Sequence, residues 1–138
     1  MTTPDIVSQD IYDLADHDVR LLATMAAVNA MRENPETGIV WWLLAGDQQP
    51  RRLVAGVRGT RGVLMWTDST DSYQPESGDN DQYVDYFTWE GHHFALPPGT
   101  EVPIEVVYDA VRECVKTLAQ PTCVRWVPMP DPDATPAR

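Results

Sequence analysis

Ile104, Val107, Tyr108, Val111, Val115 and Leu118 stand at i, i+3, i+4, i+7, i+11 and i+14. That spacing lines six apolar side chains along one face of a helix, which must find a partner surface to cover it. Pro103 suits the first turn, where its missing N–H has no partner to lose. Pro121 stops the helix. A second helix is expected over 16–31, with Leu21, Leu22, Met25 and Val28 at three- and four-residue steps and Asp16 or Asp18 as the N-cap. Asn34-Pro35 ends it, because proline disfavours helical geometry in the residue before it.

The surface that those helices cover reads as a sheet. Ile39 to Ala45 is a continuous apolar, β-rich run, suited to a central strand and followed by a Gly46-Asp47 turn. Arg52–Val57 and Gly62–Thr67 predict a hairpin closed by Arg58-Gly59-Thr60-Arg61, with Val54, Gly56, Val63 and Met65 on one face. Gly56, Gly59 and Gly62 read as hairpin glycines. Residues 68–82 predict a long polar loop, a feature that is uncommon in compact domains and often functional. Tyr83–Trp89, His92–Ala95 and Cys123–Val127 supply further short strands. With 138 residues, 43% of them hydrophobic, the chain can bury one core. The expectation is a single α+β domain over 1–127: an about five-stranded, mostly antiparallel sheet packed with two helices. Residues 128–138, rich in Pro and Asp, follow as a mobile tail.

Charge is unevenly distributed along this chain. The fifty residues between Arg61 and Arg112 contain no lysine or arginine but ten acids: Asp68, Asp71, Glu76, Asp79, Asp81, Asp85, Glu90, Glu101, Glu105 and Asp109. Much of the net charge of −11 therefore lies mid-chain. Such a field repels nucleic acid and anionic membranes and suits a basic protein partner. Trp66, Tyr73, Tyr83, Tyr86, Phe87 and Trp89 are interleaved with the acids, and tyrosine and tryptophan give contact area at low entropic cost. Tyr83 and Trp89 fall on one face of their strand and Tyr86 on the other. Trp41, Trp42, Tyr108 and Trp126 lie in strongly apolar segments and belong to the core.

Chemistry has little support. No serine occupies a nucleophile-elbow pattern. Cys114 falls near the apolar stripe and, with Cys123, reads as a small buried hydrophobe of an intracellular protein. His92-His93 offers two metal ligands, but neighbours on a strand point to opposite faces. Asp79-Asn80-Asp81 has hard oxygens without the spacing of a calcium loop. No Walker loop or dinucleotide fingerprint is present. Nothing marks two of the acids as sharing a pocket, although ten acids allow many pairings. No signal peptide is visible and the longest apolar run is too short to span a membrane, so a cytoplasmic protein without cofactor or metal is expected.

The order of short motifs resembles a known family. Arg52-Leu-Val-Ala-Gly-Val57, Gly62-Val-Leu-Met-Trp66 and Tyr83 form a first half. Phe94-Ala-Leu-Pro97, Glu101-Val-Pro-Ile104, the helix to Leu118 and Pro121-x-x-Val-x-Trp126 form a second. The set is similar to the first-numbered immunity-protein family of bacterial polymorphic toxin systems, common in actinobacteria. The resemblance runs from about Gly38 to Trp126. The family's usual Thr-Gly-Arg-Pro before the last strand stands here as Thr117-Leu-Ala-Gln-Pro121, without the arginine. The resemblance implies a non-enzymatic antidote that binds the toxin domain of a secreted effector, often a nucleic-acid deaminase and sometimes a nuclease.

Charge and resemblance lead to one expectation. A monomer or weak dimer blocks the basic substrate site of a cognate toxin through Trp66, Asp68, Asp71, Tyr73, Glu76, Asp79, Asp81, Tyr83, Tyr86, Trp89 and Glu90. The rivals are a small metal-dependent enzyme using His92 or His93, and a generic acidic interaction domain.

Overall fold

The computed structural model describes residues 11–13, 20–44, 51–68, 71–88 and 90–129. Its elements, in chain order, are β1 (Ile11–Asp13), α1 (Arg20–Met31), β2 (Gly38–Leu44), β3 (Arg52–Arg58), β4 (Arg61–Thr67) and β5 (Ser72–Pro75). They continue as β6 (Val84–Phe87), β7 (His93–Leu96), β8 (Glu101–Pro103), α2 (Ile104–Thr117) and β9 (Trp126–Pro128). The α+β class stands, but the sheet is larger than expected. Among the described residues it has nine strands, ordered β7-β6-β2-β3-β4-β5-β9, with β1 beside β2 and β8 beside β4. Pairing is antiparallel except for β1 and β6, which both run parallel to β2. The strands missing from the sequence reading are three or four residues long, too short for an alternation to register.

The middle of the sheet follows the expected hairpin. Arg58 pairs with Arg61, so the turn shrinks to Gly59-Thr60, with Gly59 at φ +73°. Asn29 of α1 clasps this turn: its Nδ2 donates to the Gly59 carbonyl at 2.9 Å, and its Oδ1 accepts the Gly59 N–H at 2.8 Å. Residues on one face of β2, β3 and β4 (Trp41, Leu43, Leu53, Ala55, Val57, Leu64 and Trp66) form the main core with both helices. Leu21, Met25 and Val28 come from α1, and Ile104, Val107, Ala110, Val111 and Cys114 from α2. Burying such side chains contributes ~1.5–3 kcal/mol each, which outweighs any intrinsic helix propensity.

The opposite face carries a smaller core of Val40, Val54, Val63, Tyr86 and Leu96, with Trp42, Met65 and Val84 at its margin. Among the described residues no helix covers this side; the sheet curls over it. Tyr86 on β6 is four strand steps from Glu101 on β8, about 19 Å in a flat sheet. Yet its hydroxyl donates to Glu101 Oε2 at 2.7 Å. The ring lies over Gly38 and Gly56, where an added Cβ on Gly56 would meet Tyr86 Cε2 at 2.8 Å. Gly56 is thus a strand glycine holding room for a ring, and only Gly59 sits in the turn.

Helix α2 runs as expected, with Pro103 as its N-cap and Leu118 closing it at φ +53°. After it, Glu113 accepts the Thr122 N–H and hydroxyl, both at 2.7 Å, and the Cys123 N–H at 3.0 Å. Trp126 Nε1 donates to the Pro121 carbonyl at 2.8 Å, so the two residues of the closing motif meet each other. The expected last strand shifts to Trp126–Pro128, and Cys123 lies exposed in the turn before it, contrary to the expectation of burial. Cys114 is buried, and neither cysteine is bridged. The Asp16 or Asp18 cap, the Gly46-Asp47 turn and 130–138 of the tail lie outside the described residues. Among the described residues no helix is long and apolar enough to cross a membrane.

Candidate functional site

Two of the expected contact residues are interior. Trp66 is 2% exposed in the helix-side core and Tyr86 is fully buried on the other side, so neither offers area to a partner. The strand pattern that placed aromatics beside acids could not say that two glycines make a bed for Tyr86. Tyr73 is half-buried against the main core. Trp89 lies outside the described residues.

Glu101, one of the ten acids, is not a surface charge either. It is 2% exposed and accepts two hydrogen bonds from Arg58, Nε to Oε2 and Nη2 to Oε1, each at 2.7 Å, beside that from Tyr86. Burial pushes this carboxyl upward, but the bonds from Arg58 and Tyr86 outweigh it and hold the group below its ordinary value. Tyr86 is pushed well above the usual tyrosine range, first by burial and then by its bond to Glu101. The Glu101 hydrogen bond raises Arg58 further above its already high value. The triad stays ionised as carboxylate and guanidinium and has no proton to exchange at neutral pH. It clamps the curl.

The remaining acids divide into paired and unpaired. Asp79 lies against Arg61, which also donates to the Glu101 carbonyl at 3.3 Å. Glu76 faces Arg125 at 3.6 Å, Asp85 faces His93 at 2.8 Å and Asp109 faces Arg112 at 2.8 Å. Asp68 and Asp71 bond to each other: the Asp71 N–H donates to Asp68 Oδ1 and the Asp68 N–H to the Asp71 carbonyl, both at 2.9 Å. Asp81, Tyr83 and Glu90 are exposed, Tyr83 by 65%. Of the acids between Gly78 and Tyr83, Asp79 has Arg61 beside it, whereas Asp81 has no basic partner among the described residues.

The expected long loop is shorter and firmer than composition implies. Part of it is β5, which joins β4 to β9. The rest is held by Asn80, which in sequence offers only a possible cation ligand. Its Oδ1 accepts the N–H groups of Gly99, Thr100 and Glu101 at 3.0, 2.9 and 2.8 Å. Its Nδ2 donates to the carbonyls of Gln82 and Pro97 at 2.9 and 3.1 Å. The Asn80 oxygen is thus turned onto backbone amides and Asp79 Oδ1 onto Arg61. No sequence signal distinguishes such an asparagine from an ordinary turn former.

His92 and His93 are both exposed. His93 sits beside Asp85 and tilts on Phe87 with ring centroids 5.0 Å apart. His92 belongs to the turn after β6, where its N–H donates to Thr88 Oγ1 at 3.0 Å. Among the described residues no group of three or more His, Cys, Asp or Glu is placed to hold a metal ion.

Compared with known proteins, the chain matches the model of one family, described as immunity protein Imm1, over residues 9–128. No curated protein matches it.

Proposed function

The chain belongs to the Imm1 immunity-protein family, and from that membership we propose that it binds a cognate secreted toxin domain and holds it inactive. It acts in the cytoplasm of the cell that makes both, without chemistry of its own. The family match carries this reading; the exposed acids support its finer part. A toxin acting on nucleic acid, a deaminase or nuclease, needs a basic groove to neutralise phosphate. An acidic surface that fills or rims that groove excludes substrate and speeds encounter, to ~10⁸ M⁻¹s⁻¹ at low salt.

The contact surface we propose is the exposed remainder of the 68–90 region: Asp71, Glu76, Asp79, Asp81, Tyr83 and Glu90. Affinity there rests on a few desolvated anchors, not on charge count. The test is co-expression with the cognate toxin domain. Survival of the host and a stable complex on pull-down are expected. Killing despite full expression of this chain would contradict the reading.

A further inference from the structure

We propose that Asn80 is a positioning residue for the toxin contact: it fixes Asp81, Gln82 and Tyr83 in one conformation and so presents Tyr83 as a rigid anchor. The inference rests on the toxin-binding reading above and narrows it to one segment. Both ends of that segment are pinned. On the N-terminal side, Asn80 uses its whole amide, with three N–H groups on Oδ1 and two carbonyls on Nδ2. The Gly99 N–H also reaches the Asn80 carbonyl at 2.9 Å, and the Asp79 N–H donates to the Glu101 carbonyl at 3.0 Å. Gly78 touches the Gly99 backbone so closely that no Cβ fits. On the C-terminal side, Val84 is held by pairing with Leu96.

Only three residues lie between those fixed points, and all three are exposed. The Asn80–Gln82 bond closes over Asp81 from inside and Val84 is paired just beyond Tyr83, so the backbone between has little freedom left to lose on binding. Tyr83 is the most exposed large hydrophobic side chain of the described residues. Among the described residues it is not one of those packed on either core. A rigid ring with an unneutralised carboxylate two residues away fits a partner that offers a slot for a ring beside an arginine or lysine. Rigidity matters because binding otherwise has to order the segment, at the expense of affinity.

A mutant cycle against the cognate toxin domain, made inactive and immobilised, tests this. We expect Asn80→Ala to raise the dissociation rate about tenfold or more, because the segment must then be ordered on binding. In a background already carrying Asp81→Ala and Tyr83→Ala, the same change should alter the rate by less than about twofold, since nothing is left to position. Asn80→Asp keeps the oxygen acceptor and loses the bonds to Gln82 and Pro97. It should give an intermediate effect, and it serves in place of Asn80→Ala if that variant does not fold. Equal effects in both backgrounds, or none in either, would overturn the proposal while leaving toxin binding intact. Failure of the unmodified chain to bind would remove the toxin-binding reading and this one together.

Discussion

The Tyr86 hydroxyl donates to Glu101 Oε2 at 2.7 Å across a sheet in which three strands separate their own. The same oxygen accepts Arg58 Nε at 2.7 Å. A buried carboxylate with three convergent donors is satisfied, and the geometry exists only when the sheet is curled. The triad therefore specifies the shape of the molecule more than it adds net stability, since a buried ion pair recovers little beyond its own desolvation.

Removing one member should be costly. Glu101→Gln leaves the Arg58 guanidinium without its counter-charge and should lower unfolding free energy by about 2–4 kcal/mol. Tyr86→Phe should cost about 1–2 kcal/mol. Because both act on one oxygen, the double variant should lose less than the two losses added. Urea denaturation measures all three, and additive losses would show that the groups do not act as a unit.

Acid sensitivity follows from the same carboxyl. Its folded value lies below the ordinary 4.5, so the unfolded chain binds the proton more readily. The stabilisation is complete above about pH 4.5 and is lost as pH falls through the lower folded value. Denaturation midpoints between pH 7 and 3 should fall steeply for the unmodified chain and less steeply for Glu101→Gln. Parallel curves would remove Glu101 as a source of the acid response.

How legible this was differs by element. The α2 stripe could be read because six positions repeat one period, and the β3–β4 hairpin because its two strands alternate in phase. The Gly38–Gly56–Tyr86–Glu101 arrangement could not, since it joins residues far apart in sequence through curl, and curl leaves no local pattern. Acids and aromatics between 62 and 111 looked like one surface for the same reason. Composition located the charge but could not say that Glu101 points inward, or that Arg61 and Arg125 return from outside the stretch to meet Asp79 and Glu76.

The two thiols should differ under native conditions. Burial pushes Cys114 up to about 12, whereas Cys123 is exposed in the turn held by Glu113. One equivalent of an aromatic disulfide reagent should react promptly at pH 8, at Cys123. Burial and then Glu113 raise the Cys123 thiol, so Glu113→Gln should speed that reaction. Reaction of both thiols at one rate would mean that α2 does not protect Cys114.

Charge reversal should discriminate between neighbouring acids. Asp81→Lys should slow association with the toxin domain several-fold at low salt and flatten its salt dependence. Asp79→Lys should have the smaller effect on rate, because Arg61 already neutralises Asp79, and the larger effect on stability, because it sets two cations together. Stopped-flow mixing at several salt concentrations separates the two. Equal association rates would contradict a contact centred on Asp81.

Hydrogen exchange on the complex with the cognate toxin domain tests the location of the contact most directly. Slowed exchange at the amides of 81–83, with the outer face of α2 around Glu105 and Asp109 unchanged, is the predicted footprint. Protection on α2 with 78–90 exchanging as in the free protein would contradict it.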